Sequence, residues 1–419
     1  MTQPDVATSE GRGHEPKLPR RDWILLPILG VFTVLFLAAA TELLARRLFS
    51  ESATGVARCM VLNDPATGAM GIPNSACWGK NPEGPRVEYK FNNWGFRSAM
   101  NFGPKPAGTY RIVVTGSSIV MGDYVPDEDT FAALLPAELS KLTGRRIQVY
   151  NEGMGWSFAD SVVLRFSRVL QAQPDLVVWV VTPVDIARGG VLAPWVQDRD
   201  PYAGKSLPEK AWLRLKADLS KESISASASA VFGRTRTALM MRHLLYQNPS
   251  QYIRSFLMEP DNLAGFVRTT FSPEWQEALR DFDKDAADVE GRTAAAHIPF
   301  VAVYLPASAQ VVMASTGHWP PGVDPYKLDD AVRAIITSHG GTFIDLLPDF
   351  GDLPDAGRYF YPVDTHPNIQ GHAMIARLMA RELAGGAVPA LKEAAAPAEA
   401  AFNHTGVSPA SVSRGAAAR

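Results

Sequence analysis

Cysteine is almost missing from this chain. Cys59 and Cys77 are the two present among 419 residues. Two thiols with no histidine close by are too few for a structural zinc site, so no metal is assigned. An excess of charge is missing as well. Lys and Arg number 41 against 43 Asp and Glu, a formal net charge of -2 that leaves no electrostatic footprint for nucleic acid. There is no internal repeat, and no cofactor is assigned. Long apolar runs are scarce, which makes the one that exists informative. Trp23 to Thr41 is an uncharged, mostly apolar stretch of 19 residues. At about 1.5 Å per residue it nearly spans a bilayer core of roughly 30 Å. It is long for the apolar region of a cleaved signal peptide, and no small-residue cleavage site stands out.

These features predict a single-pass anchor over 23–45, after a polar, disordered cytoplasmic segment at 1–22. Lys17, Arg20 and Arg21 precede the run, whereas Arg46 and Arg47 follow it. That small excess favours an inside N-terminus and places the rest of the chain outside the cytoplasm, at the inner membrane. Both cysteines fall just after the anchor, where an oxidising compartment lets them pair; two unrelated free thiols are the alternative.

Residues 48–106 are rich in Gly, Pro and Asn and read as an irregular or β-containing lead-in. From 107 to 385 strands and helices alternate. Strands are expected at Arg111–Thr115, Ile147–Tyr150, Leu176–Val181, Phe300–Leu305 and Thr342–Leu346. Amphipathic helices are expected at Asp129–Leu142, Ser157–Leu170, Leu328–Ser338 and Gln370–Leu383. Another opens at Ser272 as N-cap with Pro273 in its first turn. Five such strands give an α/β parallel sheet. Residues 187–270 interrupt it as a helical insertion, with helices at Leu207–Leu219 and Ala230–Tyr246. Residues 386–419 form an Ala-rich, disordered tail.

Chemistry gathers at the ends of these strands. The run Tyr110–Thr115 ends in Gly116-Ser117-Ser118, with Gly122 four residues on. This is how a buried strand delivers a small nucleophile to a tight turn. Far downstream, Asp364-Thr365-His366 supplies an acid and a base. Gly155 and Asp185 follow the second and third strands, so four candidates share the carboxyl edge of one sheet, where such sheets place their sites. Ser117 reads as a turn residue, Asp185 as a structural residue that caps or pairs in its loop, Asp345 as a turn former with a spare acid partner as the alternative, and His372 as a helix-face residue. His243, His297, His318 and His339 belong to no motif.

In this order the blocks resemble the SGNH/GDSL hydrolase superfamily. Its first block, Gly-Asp-Ser-x-x-x-Gly, corresponds to Gly116–Gly122, with Ser117 in place of the acid and Ser118 as nucleophile. Asn151-Glu152-Gly153-Met154-Gly155 corresponds to the second; Gly155 is the expected oxyanion donor and Gly153 its alternative. In the third, Val184 of Thr182-Pro183-Val184-Asp185 replaces the family's Asn. Asp364-Thr365-His366 matches the last, one residue shorter than usual. Asn92-x-x-Gly95-Phe96-Arg97 is similar to the lead-in of membrane-anchored bacterial members. The resemblance implies a three-layer, flavodoxin-like α/β sandwich on a five-stranded parallel sheet. It also implies a serine esterase with a Ser118–His366–Asp364 triad, in which Ser118 N–H and Gly155 N–H face the oxyanion. The implied substrate is an acyl ester, above all an acetyl group on an envelope glycan. Transfer of the acyl group to a polysaccharide hydroxyl and a non-catalytic role in envelope assembly are the alternatives.

Overall fold

A computed structural model of the protein describes residues 21–50, 54–187 and 235–392, with single positions at 19, 206, 209, 232 and 233. Apart from Glu209, the expected helix at Leu207–Leu219 lies outside the described residues, as do nearly all of 1–22 and the end of the tail.

The apolar run forms one helix, Asp22–Leu48, somewhat longer than its uncharged stretch. It is long and apolar enough to cross a membrane. Its large apolar side chains from Trp23 to Leu37 are 52–70% exposed. A helix whose stretch from Trp23 to Leu37 is apolar on every side and exposed fits a membrane span or a signal sequence.

The lead-in folds as two antiparallel hairpins: β1 (Met60–Asp64) with β2 (Gly68–Gly71), and β3 (Ala76–Lys80) with β4 (Arg86–Lys90). Cys59 and Cys77 are joined in a disulfide with Cα atoms 6.2 Å apart. Val87, Tyr89, Phe91 and Phe96 are buried in the same apolar cluster as Val113 and Tyr150 of the main sheet. The hairpins therefore share the core of the α/β unit.

That unit is built on β5 (Thr109–Gly116), β6 (Arg146–Gly153), β7 (Leu176–Val181), β8 (Phe300–Tyr304) and β9 (Thr342–Asp345). All neighbours are parallel, in the order β6-β5-β7-β8-β9. The chain turns outward to β6 after β5 and the other way after β7, so a crevice opens between the carboxyl ends of β5 and β7. The sheet is the expected one, with one revision. β6 runs on through Asn151, Glu152 and Gly153, which pair with Val114, Thr115 and Gly116. These residues read as loop because they are polar, but the parallel ladder holds them in the sheet.

Side chains alternate between the faces. Val113, Val177, Trp179 and Ala302 pack under the helices Ala159–Gln171 and Pro273–Ala295. Ile112, Val114, Val178, Val180 and Val303 pack under Phe131–Thr143 and Ile369–Glu382. The helix starts have local causes. Thr130, Ser272 and Asn368 each accept the N–H three residues on. A helix at Ser308–Thr316 was not anticipated, since its Ser, Ala and Thr content weakens the apolar period. In the insertion, helices occupy Arg236–Leu245 and Pro249–Phe256; the first starts later than expected, at a Thr235 cap. The expected disorder from 386 fails for the first residues of the tail, because Val388 and Leu391 are buried in the core.

The disulfide closes a sequence separation of 18 residues. Its removal by the paired substitutions Cys59→Ser and Cys77→Ser is expected to lower stability by about 3 kcal/mol. Guanidinium unfolding of the full chain, with and without reductant, measures it; equal midpoints would contradict it.

Candidate active site

The turn that carries Ser118 follows from β5. Gly116 lies against Val120 and the Val180 carbonyl, where a side chain has no room. Ser117 then starts the short helix Ser118–Met121, and Gly122 ends it with φ at 79°. The Gly122 and Asp123 N–H groups both donate to the Ser118 carbonyl, at 2.9 and 3.0 Å. Arg97, fully buried, fixes the far side of this turn. Its guanidinium donates to the carbonyls of Met121, Gly122 and Val125 and lies over the Tyr89 ring, 4.2 Å from the centroid.

The second segment is the loop after the short helix Ala356–Tyr359. The Tyr361 N–H donates to the His366 carbonyl at 2.9 Å, and Thr365, with φ at 72°, donates back to Tyr361 at 2.8 Å. The loop projects His366 over the Ser118 turn. Ser118 Oγ is 2.8 Å from His366 Nε2, and His366 Nδ1 is 2.7 Å from Asp364 Oδ1. Ser118, His366 and Asp364 are all half-buried, so the row of hydrogen bonds is reachable from solvent. The Tyr124 ring meets the imidazole edge-on at 5.2 Å.

The charges around this row favour a protonatable imidazole. Burial works against the charged ring, but Asp364, and Asp123 behind it, carry His366 above its ordinary 6.5. Burial would raise Asp364 too, yet the His366 charge and hydrogen bonds from His366 and Asn81 hold it below the usual 3.8. Asp123 is buried against Tyr89 and pushed up to about 6, chiefly by desolvation. The other histidine of the loop-helix motif does something else. His372 is buried, accepts the Phe131 N–H at 3.2 Å, and is held neutral by burial at about 3. It is a core residue rather than a face residue.

The oxyanion side departs from expectation. Gly155 N–H is buried and directed at the Met121 sulfur, 3.3 Å away, so it offers no free donor to Ser118. Gly153 N–H donates to Asn151 Oδ1 at 2.9 Å. Gly153 serves instead as a close-packing residue, since a Cβ there would collide with the backbone of Val120 and Met121. Ser118 lies in the first turn of its helix, where backbone N–H groups lack helical acceptors. Val184 is half exposed, at 51%. Ser117 is hydrogen-bonded to Asp185, whose carboxylate also accepts the Thr182 N–H and hydroxyl, each at 2.7 Å. Ser117 and Asp185 thus tie the β5 and β7 turns together. Asp345 pairs with Arg333 and caps Leu347.

Four residues near the row carry no motif in the chain: Asn81, Glu83, Asp123 and His243. Asn81 and Glu83 come from the turn between β3 and β4, where Asn-Pro-Glu-Gly-Pro reads as a solvated bend. Asp123 directly follows the glycine of the first block, and that position was the available signal.

Because the folded value of His366 lies above the unfolded one, its contribution to stability is complete below the unfolded value and lost as pH rises through the folded one. An NMR titration of the imidazole is expected to place its midpoint above 6.5. Asp123→Asn removes one of the two carboxylates favouring the charged ring, so the midpoint falls; an unmoved midpoint would exclude Asp123 from the electrostatics of the site.

No protein-family model matches the chain, and no curated protein matches it. Solved structures do. A catalytic mutant of the acetylxylan esterase Axe2 from Geobacillus stearothermophilus is 14% identical, with 65% of this chain and 94% of that one covered, at a TM-score of 0.35. A lipase/acylhydrolase from Enterococcus faecalis is 13% identical, covering 66% and 96%, at 0.33. The SGNH-hydrolase family esterase AlinE4 is 11% identical, covering 67% and 98%, at 0.32. The solved structures to which this chain is similar thus include an acetylxylan esterase, a lipase/acylhydrolase and an SGNH-hydrolase family esterase.

Proposed function

We propose that the chain is a serine esterase of SGNH type, tethered by its N-terminal helix, that acts outside the cytoplasm on ester-linked acyl groups. The observation that carries this reading is the unbroken row Ser118 Oγ–His366 Nε2–Asp364 Oδ1 at 2.8 and 2.7 Å. Ser118 Oγ attacks the carbonyl carbon, and its proton passes to His366 Nε2. The C–O bond of the ester breaks, and the departing alkoxide takes that proton. The acyl group stays on Ser118 until a second hydroxyl, activated in the same way, removes it. Asp364 holds the imidazole tautomer and stabilises its charged form. The Ser118 N–H faces the developing oxyanion.

The anchor rests on the length of the apolar helix, about 40 Å at about 1.5 Å per residue. The disulfide supports an oxidising compartment. The acetyl group and the glycan come from the family resemblance.

One observation favours a second reading, transfer to a sugar hydroxyl. With Gly155 N–H turned to Met121 and Val184 in the Asn position, the oxyanion side is short of donors. One missing donor costs about 3–4 kcal/mol of transition-state stabilisation in comparable sites. Slow release to water suits an enzyme whose true acceptor is another alcohol.

Full-length protein in detergent micelles is expected to hydrolyse 4-nitrophenyl acetate and to take up a fluorophosphonate label. Ser118→Ala abolishes the label and lowers kcat by at least about 10³-fold. A rate indifferent to that substitution sinks the esterase reading. Adding an oligosaccharide acceptor speeds nitrophenol release if transfer is the reaction.

A further inference from the structure

The acid of the triad is held from behind by a carboxylate that no catalytic motif contains. Glu83, in the β3–β4 turn, is buried, with 1% of its side chain exposed. A carboxylate leaves water only where donors replace the solvent, and here four hydrogen bonds do so. The Val363 N–H lies 3.1 Å from each oxygen, the Asp364 N–H donates to Oε2 at 2.8 Å, and His243 Nδ1 is 2.7 Å from Oε1. Asn81, two residues earlier in the same turn, hydrogen-bonds the Asp364 carboxylate. One hairpin turn therefore grips both the backbone and the side chain of Asp364.

His243 belongs to the insertion helix Arg236–Leu245 and reaches Glu83 from the other side. Three separate parts of the chain converge on the acid: the lead-in turn, the insertion and the loop after β9. Neighbouring carboxylates repel one another unless each has its own positive or N–H partner. Here Asp364 has His366, and Glu83 has His243 with the two backbone N–H groups.

We propose that Glu83, clamped by His243, is a positioning residue for the triad: it fixes the Asp364 backbone so that the carboxylate meets His366 Nδ1. The proposal rests on the esterase reading above. A cavity of about 430 Å³, lined in part by Glu83, His243, Tyr252 and Tyr361, adjoins the clamp. Truncating Glu83 therefore opens the acid loop to water, which satisfies the freed N–H groups without holding them in place. The loss then falls on geometry more than on folding.

The test uses the full chain in micelles and compares wild type with Ser118→Ala, Glu83→Ala and Glu83→Gln. Glu83→Ala is expected to lower kcat for 4-nitrophenyl acetate by about 10²-fold, the effect of a displacement of about 1 Å in a catalytic group. KM stays within a few-fold, and amide exchange over 361–366 accelerates. Glu83→Gln recovers most of kcat, because its carboxamide oxygen still accepts the Asp364 N–H. An unchanged kcat in Glu83→Ala overturns the proposal, as does a loss that Glu83→Gln fails to restore. Failure of the esterase reading shows elsewhere, as equal turnover by wild type and Ser118→Ala. In that case the positioning role falls with it.

Discussion

The hydrogen bond between Ser118 and His366 joins residues 248 positions apart in the chain, and the architecture follows from the need to close it. A strand buried on both faces delivers the hydroxyl, and a loop from the far edge of the sheet brings the imidazole back across β7 and β8. Neither partner has the reach to search for the other. The sheet fixes the first to within the tolerance of a ladder, and the loop must be fixed by other means.

Those means are buried polar side chains on neighbouring elements. Arg97 gathers three carbonyls at the end of the Ser118 helix and beyond it, where helix-end acceptors lack partners of their own. Ser117 and Asp185 tie the β5 turn to the β7 turn. Asn81 and Glu83 do the corresponding work for the acid loop. The hairpins before the sheet are thus part of the site's frame, joined to it through a shared apolar core and a short list of charged hydrogen bonds. Asp123, buried nearby, adds a second carboxylate that favours the charged imidazole and that the row of three does not contain.

Much of this was legible in the chain, for reasons that differ by element. Leu176–Val181 reads as a strand because all six residues are buried and apolar. Ser272-Pro273 marks a helix start because cap and first-turn chemistry are local. Ser118 could be picked out because its block directly follows a strand end, and Asp364 and His366 because they form a short acid-histidine block just ahead of the last long helix. Contacts across hundreds of residues leave no such trace. Glu83 lies 281 positions from the N–H it accepts, inside a bend of Pro and Gly that looks solvated. The direction of Gly155 N–H was equally hidden, since the thioether that takes it comes from a helix 34 positions away. The polar end of β6 looked like loop because local polarity and ladder pairing point opposite ways there.

The apolar N-terminal helix also has a second point of attachment. Glu42, near its end, accepts the N–H groups of Arg236 and Thr237 and the Thr237 hydroxyl, at 3.2, 2.9 and 2.9 Å. It acts as an N-cap supplied from outside the helix it caps, of a kind worth about 0.5–2 kcal/mol. That helix is the one that carries His243. A form cut beyond Glu42 would therefore lose more than its apolar helix. It would carry a frayed insertion helix and a looser grip on Asp364, so loss of the apolar helix and slackening of the Ser118–His366–Asp364 row would come as one event.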